Sequence, residues 1–184
     1  VCRETRDGAC VGRAEENKTD KTSAKMIRAG AGDTCPKVDN DSSQETGKCK
    51  NTKCDVMIGG NPYCSQCSLE TDHLVDGKCV AAGEDANSNC VSNNQGSCTS
   101  CANSYFMYQG GCYQTSEPNP GNTLCTAASD GKCAQAAVGY FVPPGATADK
   151  QSVVKYDDTT GVEVSSNTYK GVDKCATCTA PSSG

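Results

Sequence analysis

The chain has 184 residues, a formal net charge of −5 and 16 cysteines. Only 21 residues are Leu, Ile, Val or Phe, so the apolar area is too small for an ordinary hydrophobic core. The interspersed charges, with no stripe of Lys and Arg, argue against a nucleic acid partner. We therefore expect disulfide bonds to hold the fold, and with them an oxidising, extracellular location.

Cysteines recur along the chain in two frames. The frame C-x5-G-x-C begins at Cys2, Cys90 and Cys125. A longer loop that ends in G-x-C begins at Cys35, Cys67 and Cys101. Glycine close to the closing cysteine is typical of a tight β-hairpin turn. The frames therefore predict a series of short, bridged hairpins.

The frames combine into modules that consist of an opening cysteine, a CxxC pair and a closing cysteine. The two modules, about 36 residues apart, are Cys54, Cys64, Cys67 and Cys79, followed by Cys90, Cys98, Cys101 and Cys112. We predict tandem furin-like or EGF-like cysteine-rich modules, mostly β with little helix, that form an elongated rod. The predicted segments are an N-terminal cysteine-rich segment (1–52), two CxxC modules (53–85 and 86–120) and a C-terminal module with a β-hairpin insertion (121–184).

The third repeat indicates how the cysteines pair. Cys133 takes the first CxxC position there, but Ala136 stands at the second, and no closing cysteine follows at the usual distance. A bond between the two missing positions would explain their joint loss. We therefore expect each closing cysteine to pair with the second cysteine of a CxxC motif, and each opening cysteine to pair with the first. The predicted pairs are Cys2–Cys10, Cys35–Cys49, Cys54–Cys64, Cys67–Cys79, Cys90–Cys98, Cys101–Cys112 and Cys125–Cys133. Cys175 and Cys178 either bond to each other or pair beyond residue 184.

Regular secondary structure is predicted at few places. Residues 105–108 read as an aromatic strand that enters a turn at Gly110 and Gly111, and their rings are expected to shield the disulfides. Residues 153–156 and 162–164 read as a hairpin around 157–161. The one candidate helix is a short segment near 23–28.

Zinc binding is the main alternative use of the CxxC motifs. Thiolates at this spacing suit a tetrahedral ion, and the candidate ligands are Cys64, Cys67, Cys98 and Cys101. The two motifs lie further apart than in a zinc ribbon or finger, so we expect disulfides and neither a metal nor another cofactor. A redox site would need CxxC at a helix N-terminus inside a βαβ unit, and the sequence contains no such pattern.

No catalytic constellation is visible in the sequence. His73 is the only histidine and lies in a polar loop, where we expect a solvated side chain. Nothing marks a nucleophile in a defined pocket, so we expect neither an enzyme nor a small-molecule substrate. Two N-glycosylation triplets, at Asn17 and Asn40, lie in polar loops that would accommodate a glycan.

Three longer stretches, combined with the CxxC repeats, carry a family resemblance. They are residues 58–67 (IGGNPYCSQC), 110–113 (GGCY) and 139–145 (GYFVPPG). The sequence closely resembles the variant-specific surface proteins of Giardia, and the resemblance covers essentially the whole chain. It departs from the family pattern in having only three CxxC motifs, with Arg13 and Ala136 where a fourth and a fifth would stand.

The resemblance implies a coat antigen on the surface of a parasite cell, one variant of a large repertoire that serves antigenic variation. Its partners would be host antibodies or surface receptors. The family is anchored by a C-terminal transmembrane segment, and zinc binding has been proposed for its CxxC motifs. No apolar run in this sequence is long enough to span a bilayer, so we expect an ectodomain fragment that meets the membrane only through an anchor outside it.

Two other functions stay open on the residues alone. A binding module of the furin-like or growth-factor-receptor type also has bridged hairpins in tandem, and an exposed aromatic patch with a saturable ligand would favour it. A zinc-binding CxxC protein would reveal itself by free thiols or stoichiometric zinc.

Overall fold

The computed structural model describes residues 33–176, Cys178 and Pro181, together with the backbone of two short strands near the N-terminus. The predicted Cys2–Cys10 pair, the sequon at Asn17 and the candidate helix near 23–28 lie outside the described residues. The chain divides into two compact regions, Val1–Ala31 and Gly32–Gly184. The finer division into four segments stays a prediction.

Short strands supply nearly all the regular structure of the described residues. In chain order they are β1 (Thr5–Arg6), β2 (Ala9–Cys10), β3 (Val56–Ile58), β4 (Asn61–Tyr63), β5 (His73–Val75), β6 (Lys78–Val80), β7 (Cys90–Ser92), β8 (Cys98–Cys101), β9 (Tyr105–Tyr108), β10 (Gly111–Gln114), β11 (Cys125–Ser129), β12 (Lys132–Ala136), β13 (Tyr140–Phe141), β14 (Val154–Lys155), β15 (Val162–Val164) and β16 (Asn167–Tyr169). A single 3-10 turn at Pro120–Thr123 is the only helical element in this part of the chain. The predicted class, small, cysteine-rich and mostly β, is confirmed.

Most strands pair with a neighbour in the chain, as antiparallel hairpins. The larger assembly is a four-stranded sheet of order β6-β5-β10-β9, which combines two hairpins. Within it β5 and β10 run parallel, with Val75 opposite Cys112. This sheet joins the hairpins of the two predicted CxxC modules. The predicted strand at 105–108 is confirmed as β9, which pairs with β10 through the turn at Gln109 and Gly110.

Two-residue turns with left-handed backbone close five of the hairpins. The turn residues, with φ between 47° and 81°, are Gly59 and Gly60, Asp76 and Gly77, Gln109 and Gly110, Asp130 and Gly131, and Ser165 and Ser166. Positive φ at both central residues defines the type I′ turn, whose twist matches that of the flanking strands. In three of these turns the glycine stands two residues before a cysteine, so the predicted role of these glycines is confirmed.

The predicted hairpin of residues 153–156 with 162–164 is wrong. β14 pairs instead with β13, where Phe141 lies opposite Val154, and β15 pairs with β16. The observed pairing buries Phe141 and Val154 in one cluster with Val164 and Tyr169. Burial of this apolar cluster therefore decides the pairing, and local turn signals gave no sign of the β13 partner.

Three clusters of buried side chains form the core of the described residues. The first consists mainly of cysteines packed around Leu74. The second is aromatic and aliphatic, with Phe106 and Tyr113 at its centre, and the third contains Phe141 and Tyr169. Disulfide sulfur thus occupies the place of the aliphatic side chains that the composition lacks.

Candidate functional site

Seven disulfide bonds join the cysteines between residues 33 and 178. They are Cys35–Cys54, Cys49–Cys64, Cys67–Cys79, Cys90–Cys98, Cys101–Cys112, Cys125–Cys133 and Cys175–Cys178. Four of these pairs coincide with predicted pairs, and a fifth, Cys175–Cys178, coincides with one of the two alternatives given for these cysteines. The repeats in the sequence therefore predict most of the disulfide pairs between these cysteines.

The remaining two pairs correct the sequence prediction. Cys35 bonds to Cys54, and Cys49 bonds to Cys64, in place of Cys35–Cys49 and Cys54–Cys64. Both observed bonds connect residues on the two sides of the predicted segment boundary at 52 and 53. The N-terminal cysteine-rich segment is thus covalently tied to the first CxxC module.

The register of the β3–β4 hairpin explains the correction. Val56 lies opposite Tyr63, and continuing this register places Cys64 opposite Asp55. Because successive side chains of a strand point to opposite faces, Cys54 lies on the other face from Cys64. Cys54 therefore cannot bridge this hairpin.

We call each cysteine repeat, which has an opening cysteine and a CxxC motif or its counterpart, a unit. In each unit the opening cysteine lies opposite the second CxxC position. The opposed residues in the three units are Cys49 and Cys67, Cys90 and Cys101, and Cys125 and Ala136. Cys49, rather than Cys54, is thus the opener of the first module. Ala136 occupies the place of the missing CxxC cysteine.

Consecutive units meet backbone to backbone at a glycine. The amide of Cys67 donates a 2.7 Å hydrogen bond to the carbonyl of Gly96, and a Cβ at Gly96 would overlap the Cys67 carbonyl. A Cβ at Gly131 would likewise overlap the carbonyl of Cys101. The second CxxC cysteine of one unit therefore supports the glycine of the next, and we call this contact the glycine joint.

The four zinc candidates, Cys64, Cys67, Cys98 and Cys101, all belong to disulfides. Cysteine sulfurs lie within 4.8 Å of one another in three groups: Cys35, Cys49 and Cys54; Cys64, Cys67 and Cys79; Cys90, Cys98 and Cys112. A disulfide sulfur carries no thiolate charge, and zinc binds thiolate. The oxidised cysteines of the described residues are therefore close together without forming a metal ligand set.

His73 is not the solvated side chain that the sequence predicts. Its Nδ1 lies 2.8 Å from Asp85 Oδ2, and only 15% of the His73 side chain is exposed. The Asp85 carboxylate also accepts hydrogen bonds from the backbone amides of Asn89 and Cys90. Burial raises the pKa of Asp85, but the hydrogen bonds from His73, Asn89 and Cys90 outweigh burial and hold it below its usual value. This network ties β5 to the start of β7.

Asp76 makes a second polar link between the two CxxC modules. Its carboxylate accepts hydrogen bonds from the backbone amide and the side-chain Nε2 of Gln114, both at 3.0 Å. Burial raises the pKa of Asp76, and the hydrogen bonds from Gln114 oppose that shift. The type I′ turn of the first module is thereby fixed to the last strand of the next.

The sequon at Asn40 lies in an exposed turn. Asn40 Oδ1 accepts a 2.9 Å hydrogen bond from the backbone amide of Ser42, and the next residue of the triplet, Asp41, accepts two from Thr52. Asn40 Nδ2, the atom that carries an N-linked glycan, makes no hydrogen bond within the described residues. The geometry of this turn thus leaves the acceptor atom accessible.

The aromatic residues of β9 and β10 face the core. Phe106 and Tyr113 are fully buried, and the edge of the Tyr113 ring meets Tyr108 with ring centres 6.0 Å apart. Burial raises the pKa of both tyrosines far above the usual value. The rings surround the Cys125–Cys133 bond, in agreement with the expected shielding of disulfides. The Tyr113 hydroxyl is the one buried side-chain oxygen or nitrogen in the described residues without a hydrogen-bond partner.

The surface between the disulfides consists of short exposed loops. Fully exposed runs occur at residues 82–84, 86–88, 94–95 and 116–118. Among the residues that the structure describes, no helix has the length and apolar character needed to cross a bilayer.

Comparison with known proteins gives one consistent result. Residues 1–184 match the family model of the Giardia variant-specific surface protein. Two relatives from Giardia intestinalis are the major surface-labeled trophozoite antigen 417, 42% identical over 142 residues, and the variant-specific surface protein VSP4A1, 30% identical over 139 residues. Each alignment covers 74% of this chain and 20% of the relative, so the chain spans about a fifth of their length. No solved structure matches. The chain belongs to the variant-specific surface protein family of Giardia, a family of surface antigens.

Proposed function

We propose that this chain is part of a variant coat antigen of a parasite cell that serves antigenic variation and has no catalytic role. Family membership supports display at the cell surface. The observation that carries the proposal is the separation between the buried disulfides and the exposed loops. Because the loops contribute few buried side chains, their residues can change while the core stays the same.

The segment between β6 and β8 illustrates this separation. Asn87 and Gln95 are exposed, and their side chains make no hydrogen bond within the described residues. Asn93 has the opposite role, because its Oδ1 accepts hydrogen bonds from the backbone amides of Gln95 and Ser97. Asn87 lies in the loop before β7 and Gln95 in the loop after it, so each loop contains a position that is free to vary, and the second loop also contains one that holds the backbone.

In this proposal the antigen faces the outside of the cell and its partners are host antibodies or surface receptors. A C-terminal transmembrane segment of the longer protein anchors it. The names of the two relatives, a surface-labeled antigen and a variant-specific surface protein, support this location. The proposed anchor lies outside the residues of this chain.

Antibody binding and stability, measured on the same variants, test the proposal. We expect the double variant Asn87→Ala/Gln95→Ala to change the free energy of unfolding by less than about 0.5 kcal/mol. At least one monoclonal antibody raised against the folded chain should bind this variant ten-fold more weakly or worse. The matched control, Asn93→Ala, should lose about 1 to 2 kcal/mol, because two backbone amides lose their acceptor.

Two results would contradict the proposal. A loss of several kcal/mol in the double variant would mean that the loop side chains support the core. If every antibody of a broad panel binds the double variant as tightly as wild type, the two loops that flank β7 are not an antigenic surface.

A further inference from the structure

Three consecutive disulfides lie in contact with one another. We call them the sulfur column: Cys35–Cys54, Cys49–Cys64 and Cys67–Cys79. At its centre, Sγ of Cys64 lies 3.7 Å from Sγ of Cys79, which belongs to the next bond. At its outer end, the Sγ atoms of Cys35, Cys49 and Cys54 lie within 4.8 Å of one another. Each bond therefore has a sulfur of the next bond as its neighbour.

Cys54 is the most exposed residue of the sulfur column. Cys54 is partly exposed, whereas the exposed fractions of Cys49, Cys64 and Cys67 are 1%, 1% and 0%. Cys35 and Cys79 are also buried, with exposed fractions of 5% and 8%, so Cys54 is the first residue of the sulfur column that a soluble thiol meets.

We propose that the sulfur column is a thiol–disulfide exchange site, which takes a small monothiol at Cys54 and passes the exchange inward to Cys67. In the first step the thiolate of the monothiol attacks Sγ of Cys54, a mixed disulfide forms there, and Cys35 leaves as a thiolate. The Cys35 thiolate then attacks Sγ of Cys49. The Cys35–Cys49 bond forms, the Cys49–Cys64 bond breaks, and Cys64 leaves as a thiolate.

The last step uses the 3.7 Å contact between the sulfurs of Cys64 and Cys79. The Cys64 thiolate attacks Sγ of Cys79, so the Cys64–Cys79 bond forms, the Cys67–Cys79 bond breaks, and Cys67 leaves as a thiolate. Each step consumes one thiolate and one disulfide and produces one of each, so no net oxidation or reduction occurs. The reverse sequence restores the original bonds and releases the monothiol.

The distances permit these steps inside the folded chain. A disulfide bond is about 2.05 Å long, so sulfurs 3.7 to 4.8 Å apart must approach by about 2 to 3 Å. Side-chain rotation about the Cα–Cβ bond supplies a movement of this size without unfolding the backbone.

The third unit provides an internal control. Cys125–Cys133 packs among aromatic and aliphatic side chains, and its sulfurs belong to none of the three sulfur groups in the described residues. Ala136 stands where a neighbouring cysteine would lie. Within the part of the chain that the structure describes, a thiolate formed in this unit belongs to no group of clustered sulfurs.

Disulfide mapping of the folded wild-type chain tests the proposal. The chain is incubated with glutathione at pH 8 without denaturant, quenched with acid and an alkylating reagent, and digested for mass spectrometry. We expect a glutathione adduct on Cys54 in molecules that contain the new linkages Cys35–Cys49 and Cys64–Cys79. An adduct on Cys54 with Cys35 alkylated and the inner bonds intact would overturn the proposal, as would the absence of any adduct on Cys54.

A pair of variants gives a test without added thiol. Cys54→Ser leaves Cys35 as a thiol inside the sulfur column, and we expect a Cys35–Cys49 linkage with the alkylated thiol found at Cys64 or Cys67. Cys125→Ser leaves Cys133 as a thiol in the third unit, and we expect the alkylated thiol to stay there. Retention of the thiol at Cys35 in folded Cys54→Ser would overturn the proposal, and the wild-type experiment decides it if this variant fails to fold.

Discussion

Replacing Gly96 with alanine tests the glycine joint between the two CxxC modules. Gly96 has φ +80°, a conformation that costs a residue with a Cβ about 1 to 2 kcal/mol. The added Cβ would also overlap the backbone carbonyl of Cys67, and backbone cannot move aside as a flexible side chain can. Overpacking of this kind costs about 1 to 3 kcal/mol. We therefore expect Gly96→Ala to lower the free energy of unfolding by about 2 to 5 kcal/mol.

Gly60 offers a matched control for this substitution. Its φ of +81° is nearly the same, but nothing lies within 4 Å of the position that a Cβ would take. Gly60→Ala should therefore lose only the conformational part, about 1 to 2 kcal/mol. Guanidinium unfolding of the oxidised proteins, with the disulfides mapped beforehand, measures both losses. Equal losses in the two variants would refute the argument that the joint excludes side chains.

Further predictions concern three polar groups. Asp85→Ala should lower the free energy of unfolding by about 1 to 3 kcal/mol, because buried backbone amides lose their acceptor. Hydrogen bonds hold the pKa of Asp85 in the fold below the ordinary 3.8. The contribution of the Asp85 carboxylate to the free energy of unfolding is therefore complete above pH 3.8 and is lost as the pH falls through the lower pKa of the folded state. Stability measured along an acid titration should accordingly change less in Asp85→Asn than in wild type. Tyr113→Phe should be at least as stable as wild type in the same denaturant assay, because the hydroxyl it removes is buried without a partner. Asn40 should carry an N-linked glycan when the chain is made by a cell that glycosylates secreted proteins, with a mass increment that Asn40→Gln abolishes.

Each of these predictions has a contrary outcome. Identical acid titrations of wild type and Asp85→Asn would mean that the ionised carboxylate does not stabilise the fold. A loss above about 1 kcal/mol in Tyr113→Phe would mean that the hydroxyl has a partner. An unmodified peptide spanning Asn40, from material in which the other sequon, at Asn17, is occupied, would remove Asn40 as a glycan acceptor.

Local features of the fold could be predicted from the sequence because they repeat. The turns at Gly77, Gly110 and Gly131 each precede a cysteine by two residues, and this spacing alone indicates a hairpin with a bridged end. The pairing of Cys101 with Cys112 followed from comparing three copies of one unit. Repetition supplied the comparison that a single copy cannot offer.

The predicted bond between Cys54 and Cys64 was wrong, although the position of the turn glycines in the sequence excludes it. The turn at Gly59 and Gly60 fixes the register of its hairpin, and counting outward from it places Cys64 opposite Asp55. A bond from Cys54 to Cys64 would require a one-residue slip, which would turn each side chain of the strand to the opposite face. Cysteine spacing alone does not define this register, because the turn glycines set it.

Other features depend on contacts between residues far apart in the chain. The sequence places His73 in a polar loop, and only the folded chain brings it against Asp85. The β13–β14 pairing likewise depends on apolar side chains that meet in a separate cluster. Side-chain periodicity and turn residues describe local conformation, so they do not identify such partners.

The glycine joint has a consequence for how such chains diversify. Its hydrogen bond runs between peptide groups, which every residue possesses, and its steric requirement is met by glycine alone. The joint by itself requires no matched pair of side chains, unlike the link between Asp76 and Gln114 across the same boundary. Substitutions around the joint therefore leave this contact in place as long as the glycine is kept, whereas the link between Asp76 and Gln114 is lost when either side chain changes.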